Sequence, residues 1–247
     1  MRARSPYSGS NIAYSFGPGP WTPAIKYLII ANVVLFVAGS LTSELFDMFA
    51  LRPRDVVESF ALWQPVTYMF MHGGVFHVLF NMLSLWMFGT ELERMWGSAF
   101  FVRYYIVTGV GAGLTQILLG FLPGRFGDYF YDVATVGASG AIFGVLLAYG
   151  IYFATREVMM YGLFPVQARY MVMIVGAISL YSAMGGGGGV AHTAHLGGLA
   201  TGWIYLKGRR VRLAAEIQYQ FARWRINRAR RKFDVHQGGR GDRPKYH

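Results

Sequence analysis

In the stretch VGASGAIFG, residues 136–144, one hydroxyl, that of Ser139, stands between Gly137 and Gly140 at the start of an apolar run. A serine hydroxyl is a poor nucleophile until a neighbouring base takes its proton, and a neutral imidazole can do so near pH 7. Two other apolar segments supply imidazoles: HGGVFHVLFN holds His72, His77 and Asn81, and AHTAHLGGLATG holds His192 and His195. Acyl transfer at Ser139 would generate an oxyanion, which needs preorganised donors. The free N–H groups of a helix beginning at Ser139, the Asn81 amide and a His77 ring N–H are of the right type. His77 and Asn81, four residues apart, share one helix face. With no carboxylate close by in an apolar segment, the expected unit is a Ser139–His195 dyad, not a triad.

Each residue also has an ordinary reading. Intramembrane serines bond back to their own helix, histidines bond between helices, and small residues let backbones pack. What favours chemistry is the set taken together. Gly137 and Gly140 leave room around the hydroxyl, Gly144 allows a close helix approach, and Gly198 and Gly202 offer a matching smooth face after His195. Close approach of the two segments would bring His195 to Ser139.

The elements that must hold these groups are apolar helices. Of the 247 residues 54% are hydrophobic, and the mean hydropathy is +0.33. That balance points to a polytopic membrane protein. Six segments read as spans, at about 24–43, 65–88, 99–121, 136–153, 168–184 and 190–207. The fourth, which begins near Ser139, is short, as expected of a helix starting inside the membrane beside a polar cavity. The absence of cysteine excludes disulfides and thiolate chemistry.

The net charge is +11, but residues 207–247 alone hold 13 Lys/Arg against three acidic residues. Charge confined to one end suits a cytoplasmic tail beside anionic lipid better than a nucleic-acid surface. Arg2 and Arg4 at the other end put both termini on the cytoplasmic side. Arginines interleaved with Leu213, Ile217, Phe221, Trp224 and Ile226 predict an interfacial helix in the tail. The organisation expected is therefore a cytoplasmic segment over 1–22, a six-helix membrane domain over 23–207 and a basic tail over 208–247. The N-terminal segment lacks the apolar core of a secretory signal. It is acid-poor like an organellar transit peptide, although GPGP would break the helix such a peptide forms.

HVLFN at 77–81, GASGAIFG at 137–144 and AHLGGLATG at 194–202 occur in the order in which the rhomboid family of intramembrane serine proteases carries its motifs, and residues 60–207 resemble that family. The resemblance implies an all-α, six-transmembrane-helix bundle with a short buried fourth helix. It further implies Ser139 as nucleophile, His195 as general base, and His77, Asn81 and the Ser139 N–H as the oxyanion hole. No metal or cofactor is implied. The partners implied are transmembrane protein substrates and the lipid bilayer, with a bacterial inner membrane as the preferred location and an organellar one open. By the same resemblance the fifth span and the glycines at 185–189 form a gate and cap, and Glu93 in ELERMWG sits in a cytosolic turn as a structural acid. Two departures stand out. Residues 44–64 lack the family's Trp-Arg pair, and Phe143 replaces a Tyr found in some members; an aromatic there would stack on His195. His192 is expected to face water near the outer surface, and His72 to bond loops or water.

Two rival functions remain at this stage. A catalytically silent rhomboid-like binding factor would tolerate loss of Ser139. A small transporter relaying protons through histidines would be indifferent to the serine.

Overall fold

The computed structural model describes residues 17–160, 164–184, 192–208, 223, 224 and 228. Two units separate, residues 1–203 and 204–247, and the site discussed below lies wholly in the first. The N-terminal residues 1–16, the glycines at 185–189 and most of the expected tail helix fall outside the described residues.

Helix α1 (Pro23–Leu41) is followed by two short helices, α2 (Ser43–Phe49) and α3 (Pro53–Glu58). Next come α4 (Gln64–Thr67) with a 3₁₀ turn at Tyr68–Phe70, and a continuous helix made of α5 (Val75–Ser84), a π turn (Leu85–Gly89) and α6 (Thr90–Trp96). The chain continues through α7 (Ser98–Gly120), α8 (Arg125–Asp132) and α9 (Ser139–Tyr152). A hairpin of β1 (Glu157–Met160) and β2 (Phe164–Gln167) leads into α10 (Ala168–Met184), and residues 192–208 form α11. Each of the six segments read as spans contains a helix. Three, Pro23–Leu41, Val75–Trp96 and Ser98–Gly120, are long and apolar enough to cross a bilayer, while α9 and α10 are shorter.

The second span differs from the expected 65–88. Its helix begins ten residues later and runs to Trp96. Pro65 opens only the short α4, and the chain then extends at Met71 (φ −90°, ψ 143°) and Gly74 (φ 173°, ψ 167°). The apolar run therefore contains a break that hydropathy does not register. Because the helix runs on to Trp96, Glu93 lies in a helical turn of α6 and not in a connecting turn. Its role is structural all the same. It is 3% exposed and accepts from the N–H groups of Ala24 (2.9 Å) and Ile25 (3.0 Å), from the Ser98 hydroxyl (2.5 Å) and from the Thr22 hydroxyl. A carboxylate there satisfies donors that the first turn of α1 leaves free, and its charge suits the positive end of the helix dipole.

The first connecting region is ordered without a Trp-Arg pair. The Gln64 side chain accepts from the Arg52 N–H (3.0 Å), the Trp63 indole donates to the Met48 carbonyl (2.9 Å), and Arg52 pairs with Asp47 (2.7 Å). Leu51 and Thr135 exchange two backbone hydrogen bonds of 2.9 and 2.8 Å. That bridge fixes the approach of the chain to Ser139.

At the centre stands α7. Its small residues receive both site helices: Gly140 and Gly144 of α9 face Ala112 and Thr108, and Gly197 of α11 faces Thr115. Buried polar groups tie the layers, with Tyr104 donating to the Gly144 carbonyl (2.7 Å) and Gln116 to the Thr193 hydroxyl (2.6 Å). In a bilayer such bonds and close van der Waals packing hold helices together, because lipid removes the hydrophobic drive for their association.

Candidate active site

Ser139 is the first residue of α9, so its N–H has no partner within the helix. The turn that delivers it needs Gly137, whose φ is +121°, in a region that side chains rarely adopt. The Gly137 N–H is held by the Tyr68 carbonyl (2.9 Å), while the Tyr68 hydroxyl donates to the Gly109 carbonyl (2.7 Å). Tyr68 thus pins the turn to α7. Nothing in the sequence pattern marked this residue, since one tyrosine ahead of a helix carries no periodic signal.

His195 reaches the serine from α11. Its Nε2 lies 2.8 Å from Ser139 Oγ, hydrogen-bonding distance, although the residues are 56 positions apart. The glycines explain the approach. A Cβ on Gly198 would run into the Gly140 carbonyl oxygen, and one on Gly202 would come within 3.3 Å of the Gly144 Cα and against the Tyr104 hydroxyl. Backbone therefore meets backbone along the α9–α11 seam. Gly140 does not simply clear space beside the hydroxyl, as its type suggested; a Cβ there would strike Ala112 and the Tyr68 hydroxyl.

The imidazole is oriented by a ring. Phe143 stacks on His195 with centroids 4.0 Å apart and planes 8° from parallel. Among the described residues His195 Nδ1 is buried without a hydrogen-bond partner, and no described carboxylate holds it. If Nε2 accepts the serine proton, Nδ1 carries the ring hydrogen. His192 stands edge-on to His195 at 5.6 Å, half-buried and not simply water-facing.

His77 and Asn81 lie on one face of α5, and both border the same cavity as Ser139 and His195. His77 Nδ1 accepts a long bond from the Gly73 N–H (3.4 Å), which leaves the proton on Nε2. That nitrogen is close to the turn: a Cβ on Gly137 would lie 2.7 Å from it. The Asn81 amide donates one hydrogen to the His77 carbonyl (2.9 Å), and its second remains for another acceptor. His72 is buried behind His77, edge-on at 5.0 Å, and does not reach the serine.

The cavity has a volume of 580 Å³ and runs between α5, α9 and α10. Its walls are chiefly apolar, with Phe80 and Met87 on one side and Met171 and Val175 on the other. A few convergent polar groups in an apolar cleft are the usual make-up of a ligand-binding site. Val158 and Met159 of the hairpin also line it, and sequence reasoning assigned no element to that stretch.

A family model described as Rhomboid domain matches residues 59–210. RHOMBOID-like protein 2 of Arabidopsis thaliana is 28% identical over 199 residues, 81% of this chain and 58% of that protein. Rhomboid protease GluP of Bacillus subtilis (strain 168) is 28% identical over 188 residues, 74% of this chain and 34% of that protein. RHOMBOID-like protein 1 of Arabidopsis thaliana is 34% identical over 165 residues, 67% of this chain and 38% of that protein. The chain spans at most 58% of the length of these three curated relatives.

Proposed function

The chain belongs to the rhomboid family, and from that premise we propose that it is an intramembrane serine endopeptidase acting on transmembrane segments of other proteins. The observation that carries this reading is the 2.8 Å contact between Ser139 Oγ and His195 Nε2 at the head of a groove suited to an apolar peptide. In acylation, His195 Nε2 takes the hydroxyl proton as Oγ attacks the scissile carbonyl carbon. The oxyanion so formed is met by the Ser139 N–H, the His77 ring N–H and the free Asn81 amide hydrogen. The C–N bond then breaks, and the leaving amine takes the proton from His195. Water, deprotonated by the same imidazole, hydrolyses the Ser139 ester and restores the hydroxyl.

A substrate helix shields its own amides by hydrogen bonding, so it must unwind locally to present a carbonyl. Small or helix-breaking residues near the scissile bond are therefore favoured. In this reading the six helices each cross the membrane, and the Arg/Lys bias puts both termini on the cytoplasmic side of a bacterial inner membrane.

The test is labelling with a fluorophosphonate probe in detergent or lipid. The wild-type chain reacts, while Ser139→Ala and His195→Ala do not. A folded wild-type protein that stays unlabelled would overturn the proposal and favour a binding factor.

A further inference from the structure

The connection between α9 and α10 pairs Glu157 with Gln167, Val158 with Val166, Met159 with Pro165 and Met160 with Phe164. Backbone bonding continues past the strands: the Ala168 N–H donates to the Arg156 carbonyl (2.8 Å) and the Arg169 N–H to the Ala154 carbonyl (3.2 Å). The hairpin therefore runs without slack into the first turn of α10. Its other attachment is ionic. The Arg156 guanidinium pairs with Glu91 of α6 and lies over the Phe153 ring at 5.2 Å. Glu91 belongs to the same continuous helix as His77 and Asn81. The hairpin is thus tied to α5–α6 and to α10, the two walls that face each other across the groove.

Val158 and Met159 border the same cavity as Ser139 and His195. Ser139 opens α9 and the hairpin follows its last residue, Tyr152. At 1.5 Å per residue these lie about 20 Å apart along the helix. The groove therefore has a reactive end at Ser139 and a far end at the hairpin. Whatever acylates Ser139 has one arm leading out of the site and another running down the groove toward the hairpin.

We infer that the hairpin is the floor of the substrate groove, and that Val158 and Met159 form a distal subsite for bulky aliphatic side chains of the substrate's membrane-spanning segment. The occupant follows from continuity with the serine: in the proteolytic reading the apolar chain that extends from the carbonyl at Ser139 along these walls is the substrate's own membrane-spanning segment. Met159 is 53% exposed, and its unbranched thioether adapts to aliphatic partners of differing shape. The Arg156–Glu91 pair is the positioning contact that holds this floor between the walls. This inference rests on the proteolytic reading above.

The experiment uses the full chain in lipid vesicles and model peptides of about 20 apolar residues, the length of a membrane span. Each peptide carries one Gly-Ala break for cleavage and a single Leu moved along an Ala background beyond it. Wild type cleaves fastest with Leu at one distal position. In Met159→Ala that preference over Ala falls about tenfold, the scale set by apolar groups in a hydrophobic pocket. Arg156→Gln flattens the preference similarly, and Glu91→Gln reproduces it. An unchanged Leu profile in all three variants, each still reacting with the fluorophosphonate probe, overturns the floor while leaving the protease reading intact.

A second arm does not depend on turnover. In the Ser139→Ala protein, a photo-crosslinking amino acid at Met159 captures the peptide, and the same group at Tyr27, exposed on α1, does not. Equal capture at both positions overturns the inference. Capture at Met159 by a chain whose wild type never labels would sustain the groove and its floor but overturn the protease.

Discussion

Gly198 of α11 faces the carbonyl oxygen of Gly140 so closely that a Cβ on Gly198 would overlap it. This backbone contact sits about one turn from His195 and one residue from Ser139, and it sets the spacing of the two side chains. Gly198→Ala must push the helices apart or strain the seam, at about 1–3 kcal/mol for overpacking. A displacement near 1 Å at the reacting atoms costs about a hundredfold in rate. The labelling rate constant of Gly198→Ala should therefore fall by about that factor in protein that still folds. Labelling at the wild-type rate would show that the seam does not control the dyad.

Phe143 is the only ring stacked on His195 among the described residues. Such stacking contributes about 0.5–1.5 kcal/mol beyond burial. Phe143→Ala should lower kcat/KM for peptide cleavage about two- to tenfold, and Phe143→Tyr, which retains the ring, should remain near wild type. Equal losses in both variants would point to the pocket's shape and not to the stack.

In the proposed mechanism His77 and Asn81 donate to the oxyanion, and such donors act on the transition state more than on bound substrate. His77→Ala and Asn81→Ala should each lower kcat about 10²–10³-fold with little change in KM. Asn81→Ala also removes the bond to the His77 carbonyl, so thermal unfolding is measured beside the kinetics. A rise in KM at constant kcat would reassign these residues to substrate binding.

Glu93 is remote from the chemistry and belongs to the packing of α1 on α6. Glu93→Ala strands the N–H groups of Ala24 and Ile25 and should cost about 2 kcal/mol or more, since bonds to a buried charge are the stronger kind. Thr22→Ala, which removes one of four donors to the carboxylate, should cost about 1 kcal/mol or somewhat more. Thermal unfolding in detergent reads both. At temperatures where Glu93→Ala is folded it should still label, and loss of labelling there would show coupling from α1 to the site.

Much of the candidate site was legible in residue types and local spacing. Ser139 after a glycine, His77 with Asn81 on one face, and His195 ahead of Gly198 and Gly202 are short-range patterns. So is the apolarity of the six segments, because helical periodicity and hydropathy are properties of neighbouring residues. The stacking of Phe143 on His195 was expected as well, but from the family resemblance, in which an aromatic stands at this position. Where a pattern was read too smoothly, a backbone break was the cause: the apolar run at 65–88 hides the non-helical residues Met71 to Gly74.

The sequence alone determined which groups exist and which helices carry them. Only the tertiary structure decided that Ser139 and His195 meet, because their 2.8 Å contact depends on two backbones touching at Gly140 and Gly198, far apart in the chain. It also decided the pairing of Glu157–Met160 with Phe164–Gln167, which is made by cross-strand bonds and anchored by Arg156 reaching Glu91. The bridge from Leu51 to Thr135 and the hold of Tyr68 on Gly137 are of the same kind. Pairings between distant segments leave no period in a sequence, since their energy appears only when both partners are already in place.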